Sequence, residues 1–136
     1  MKTTIKILAM IIASLTTQAL AGVPSQQLMN ASQSLNEAIK NVKLEKVIPD
    51  LATALKLESS VIQQGMVAHK HKLSDLALAK FVSDKTSKPI DTFMTVSTES
   101  EWVDVLAQNN ISDSDTQEYL DNLQTEVAFL MLDHRK

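Results

Sequence analysis

From Ser25 to about Leu44 the apolar residues Leu28, Ala31, Leu35, Ala38 and Val42 recur at alternating spacings of three and four, with Gln27, Asn30, Ser34, Glu37 and Asn41 between them. That spacing lays one apolar stripe along a helix and predicts an amphipathic α-helix. Pro49-Asp50 reads as a break and a new start, because proline disfavours helical backbone in the residue before it, and Leu51, Ala54 and Leu55 then form a short helix. Ser60 and Gln63 have the spacing of a capping box, so a third helix is expected to begin there and to carry Val61, Ile62, Met66 and Val67. Leu76-Ala77-Leu78-Ala79-Lys80-Phe81-Val82 reads as a buried helix capped by Ser74.

Further along, Lys88-Pro89 suits the opening of a short helix that turns Ile90, Phe93 and Met94 inward. Thr98 with Glu101 is a second capping box, placed before Trp102, Val105 and Leu106, and Asn109-Asn110-Ile111 can close that helix with a left-handed residue. Ser114 with Gln117 is a third, opening a last helix through Leu120, Leu123, Val127 and Leu130. Its end, Val127-Ala128-Phe129-Leu130-Met131-Leu132, is apolar on every side, so it is expected to be the central helix wrapped by the others. A dimer seam, or a groove for a partner or apolar ligand, is the alternative. Trp102 is expected as a core anchor, and Trp102, Phe129 and Leu130 are the candidate interaction residues.

The chain opens with Lys2 and Lys6, an apolar run Ile7 to Leu15 too short to span a bilayer, and Ala19-Leu20-Ala21 before Gly22. This is the layout of an export signal, so residues 1–21 are expected to be cleaved after Ala21, leaving 22–136 as one periplasmic or secreted helical domain with no membrane span. With two glycines, three prolines and no cysteine in 136 residues, hairpin turns and a disulfide framework are both hard to build. The expected class is all-α: a compact orthogonal or bundle-like array of about five to six helices.

Charge divides the mature part. Residues 40–88 hold nine lysines against five acids, a balance of +4, whereas 89–136 hold ten acids against Arg135 and Lys136, a balance of −8. Such a split either keeps one fold soluble or steers a charged partner. Nucleic acid is not an expected partner, because the basic half lacks interleaved aromatics for base stacking.

Met66, His69 and His71 form the one cluster of metal-ligand residue types. On a helix, residues two apart lie about 200° apart around the axis, so the two imidazoles reach one ion only from an extended or turn segment. Thioether and imidazole suit copper, whereas Lys70 and Lys72 disfavour a cation, so no metal and no cofactor is assigned. Asp113-Ser114-Asp115 begins like a calcium loop, but Glu118 stands where that loop needs glycine and Gln124 where it needs a carboxylate. Gly65 as the sole internal glycine excludes a phosphate-cradling loop. A thiol nucleophile and a G-x-S-x-G elbow are missing too, so no enzymatic chemistry is expected.

The succession of Leu73 to Val82, a Thr86-Ser87-Lys88-Pro89 link, Ile90 to Met94, and Trp102 with Val105, Leu106 and Ile111 resembles small exported all-helical bacterial proteins of unknown function. The resemblance covers about residues 73–111 and implies a compact helical fold without an activity. Glycines that often flank the tryptophan in that pattern are replaced by Glu101 and Val103. The functional expectation is an exported non-enzymatic protein that binds an envelope or exported protein, or its own copy, as an inhibitor, immunity-type or accessory protein. The alternative is a carrier or sensor of an apolar small ligand or a metal ion.

Overall fold

The computed structural model describes residues 26–134; the expected export segment and its cleavage site after Ala21 lie outside them, as do Arg135 and Lys136. Among the described residues six α-helices follow one another: α1 (Gln26–Glu37), α2 (Leu44–Leu55), α3 (Ser59–Ile62), α4 (Leu73–Thr86), α5 (Glu99–Gln108) and α6 (Asp113–Met131). A π-helical turn, Gln63–Ala68, extends α3, and 3-10 turns occupy Ile90–Phe93 and Leu132–His134. Among the described residues there is no strand, and no helix is long and apolar enough to cross a membrane.

The 19-residue α6 packs against α1, α2 and α4, and α4 in turn meets α1 and the Ile90–Phe93 turn. Leu35, Leu51, Leu55, Ile62, Leu76, Val82, Leu106, Leu120 and Val127 come together in the core. The helix closed off from solvent is α4, whose residues from Leu73 to Val82 are buried except for a half-buried Lys80. The final turns of α6 are not wrapped as the apolar run predicts. Val127 and Met131 are buried, Ala128 and Leu130 are half-buried, and Phe129 and Leu132 face solvent.

Several local signals resolve differently from their sequence reading. The stripe from Leu28 to Val42 continues inward, but regular helix stops at Glu37 and tightens through i→i−3 bonds such as Lys40 N to Glu37 O. Pro49 interrupts nothing: it lies inside α2 on the exposed side, while Val47, Ile48, Leu51, Ala54 and Leu55 are buried. An interior proline costs a helix about 3 kcal/mol, and here burial of that five-residue face offsets it. Ser60 does not cap α3, which begins after Glu58, and Val67 faces solvent. The last helix opens two residues early, because Ser112 and not Ser114 accepts the N–H of Asp115. The Thr98–Glu101 box forms as read, with Glu101 N–H donating to the Thr98 hydroxyl and Thr98 N–H to the Glu101 carboxylate. Asn110 adopts φ 58°, and Ile111 N–H reaches Leu106 O at 2.9 Å.

Candidate functional site

Three places combine chemistry with geometry: the start of α4, the turn between α3 and α4, and the end of α6. At the first, Lys72 is the residue before the helix and Ser74 lies within its first turn, so Ser74 is not the cap that its position suggests. Capping comes from elsewhere. Lys72 N–H donates to Asp75 Oδ2 at 3.1 Å, and Asn36 of α1 accepts the Ser74 N–H at 2.9 Å while its own amide donates to the Ser74 hydroxyl at 3.0 Å. Trp102 is 2% exposed, and its indole N–H donates to Asp75 Oδ1 at 3.0 Å. Each Asp75 oxygen thus holds a donor, and negative charge at a helix start is favourable. Leu28, Ser32, Lys72 and Asp75 border a narrow cleft of about 30 Å³, room for a water-sized occupant. This arrangement joins α1, α4 and α5. Trp102 therefore serves as a core anchor and offers no surface for a partner.

The second place is the turn from Gln63 to Lys72. Gly65 packs so closely on α4 that an added Cβ would stand 2.8 Å from Leu76 Cδ2 and 3.1 Å from Met94 Cε. A larger residue here would have to displace the ends of the Leu76 and Met94 side chains. Lys70 takes a left-handed φ of 56°, uncommon for a residue with a Cβ, and the N–H groups of His69 and His71 return to Gln64 O and Gly65 O. With Lys70 left-handed between them, the two imidazoles lie 6.0 Å apart between ring centroids, tilted by 40°. They line an open cleft of about 400 Å³ with Gln64, Asp91 and Met94. Met66 is not with them: it is 9% exposed and belongs to the core. Among the described residues no three His, Cys, Asp or Glu side chains converge as a metal cluster.

The third place is the end of α6. Phe129 is 72% and Leu132 is 54% exposed, and residues three apart share a helix face. Leu130, in contrast, packs against the core. Exposed Glu126 and Asp133 lie one turn before and after Phe129. The helix end is anchored across the fold by His134, whose Nε2 lies 2.6 Å from Asp50 Oδ2 of α2. Nothing local in the sequence connects His134 to Asp50, 84 residues earlier.

A further aromatic group sits where α4 meets α6. Phe81 and Tyr119 stack with centroids 4.6 Å apart, and the Lys85 ammonium lies 5.5 Å from the Phe81 ring centre. Burial pushes the Tyr119 phenol above its ordinary range, and the nearby Asp84 and Glu126 carboxylates push it the same way.

Of the residues singled out from sequence, His69 and His71 come together, whereas Met66, Trp102 and Leu130 turn inward and Phe129 alone of the interaction candidates stands open. Asp75, Met94 and Leu132 were not among the site candidates that the sequence offered. Asp75 carried a signal, three residues past the residue it caps, but the roles of the other two depend on neighbours distant in sequence. Comparison with protein-family models, with curated proteins and with solved structures gave no match.

Proposed function

We propose that this chain is an exported, non-enzymatic helical protein that acts by binding another protein through the last turns of α6. The observation that carries the reading is the 72% exposure of Phe129 beside a 54% exposed Leu132. Two large apolar side chains on one helix face form a surface of the kind that partners cover. The rim is acidic: Glu126 and Asp133 flank the patch, and Asp113, Asp115, Glu118 and Asp121 line the exposed length of the same helix. A partner that places an apolar contact among lysines or arginines fits this surface, and its association weakens as salt screens the charges. The Ala19-Leu20-Ala21 segment supports export, which points to exported or envelope proteins as the pool of partners.

The test is site-specific photo-crosslinking in the source's own exported fraction, with a probe at position 129 and a control probe at exposed Lys40. The expected result is one discrete adduct from position 129, lost in the Leu132→Ser background and weakened by salt, on a chain that starts at Gly22. An adduct of two copies of this chain identifies a homo-oligomer. No adduct at 129, or equal labelling at both positions, overturns the proposal.

The alternative, a carrier or sensor of a metal ion, has a separate observation behind it: the pair of imidazoles that share a cleft after Ala68.

A further inference from the structure

We propose that the cleft between the Gln63–Ala68 turn and the Ile90–Phe93 turn binds copper(I), held by the imidazoles of His69 and His71 with the Met94 thioether as third ligand. The assignment is independent of the α6 surface and uses none of its residues. A metal–imidazole bond of about 2.0 Å puts an ion about 3.2 Å from a ring centre, so rings 6.0 Å apart can share one ion at an N–metal–N angle of about 140°. So wide an angle suits a d10 ion with two or three ligands and is too open for tetrahedral zinc, which needs four. Donor chemistry agrees. A thioether selects Cu(I) among the first-row ions, and imidazole serves copper in either oxidation state.

Two further features favour a cation here. Lys72, which flanks the histidines in sequence, borders the separate cleft beside Asp75 and Trp102, and Lys70 does not line the histidine cleft either, whereas the Asp91 carboxylate does. The wall of the histidine cleft itself therefore carries a carboxylate and no lysine. The backbone that brings the rings together is also unusual, with a π-helical turn followed by a left-handed lysine. π-Helical turns occur frequently at functional sites, and Lys70 closes this one as the left-handed Lys56 and Ser87 close α2 and α4.

Copper(I) itself is the probe, titrated under ascorbate into the full chain in competition with bicinchoninate, with ring and methyl signals followed by NMR. The expected result is one ion per chain, with shifts confined to His69, His71 and the Met94 methyl. Single His69→Ala and His71→Ala variants should each lower affinity by more than the roughly 10–100-fold that loss of an outer partner costs a metal site. Met94→Leu should cost less, and His134→Ala and Met66→Leu nothing. Failure of the wild-type chain to compete for copper(I), or unchanged affinity in both histidine variants at unchanged circular dichroism, overturns the site. Shifts at the Met66 methyl in place of Met94 overturn the ligand set.

Discussion

Leu73 to Val82 and Val127 to Leu132 are the two richest apolar runs in the described chain, yet the molecule treats them in opposite ways. The first contains Ser74 and Asp75 and is closed from solvent at every residue except a half-buried Lys80. The second contains no polar side chain and leaves Phe129 and Leu132 in water. Hydropathy alone ranks them in the wrong order. What separates them is the supply of neighbours: α1, α6 and the Ile90–Phe93 turn surround α4, and Asn36, Lys72 and Trp102 satisfy its polar groups. The end of α6 finds cover only on its Val127 and Met131 side.

The contrast predicts unequal mutational costs. Trp102→Ala, which empties a closed position, should destabilise the fold by about 3–5 kcal/mol in urea denaturation, as for aromatic truncations in other cores. Asp75→Ala should cost about 1–3 kcal/mol, because the indole N–H and the Lys72 N–H both lose their acceptor inside the protein. Asp75→Asn keeps an acceptor oxygen and should recover part of that loss. A near-neutral Asp75→Ala would show that water reaches the cluster and that the two regions are less different than they look.

At the other end, Phe129→Ser with Leu132→Ser should shift stability by no more than about 0.5 kcal/mol, since substitutions at open positions rarely do more. A loss of several kcal/mol in thermal unfolding would mean that these side chains are covered in solution and would move the end of α6 into the core. The smallest effect is confined to alkaline pH. Tyr119 is the single tyrosine of the chain, so phenolate absorbance reports it alone. Its folded pKa is raised, which means that the unfolded state releases the proton first. Its stabilising contribution is therefore complete below about pH 10 and is lost as pH rises through the folded value. Tyr119→Phe should remove that slope in denaturation measurements above pH 10, and an unchanged slope would assign it to other groups.

Signals that act within a few residues were the ones legible from sequence. The Thr98–Glu101 box and the Asn110 cap formed as read because each needs only atoms one turn away. Ser74 misled because its cap competes with Asn36, 38 residues earlier, whose amide takes over the helix start. Pro49 misled because proline statistics describe an isolated helix, whereas here a buried face holds α2 together on both sides of the ring. The histidine pair was half legible: a turn was required for the two rings to meet, and a turn is present, but the methionine that lines their cleft is Met94 and not Met66.

By itself, then, the sequence determined the helical class, the inward stripes of α1 and of α6 as far as Val127, and the absence of the glycine and cysteine patterns that phosphate loops and thiol chemistry need. Helix propensity, capping and 3.6-residue periodicity are local, and any chain with this pattern expresses them. Only the tertiary structure decided which apolar run is enclosed, which carboxylate meets the tryptophan, and which methionine stands beside the histidines. Those outcomes depend on contacts between residues tens of positions apart, where a chain of this length has surface enough to surround one apolar helix on all sides and leaves the end of another open.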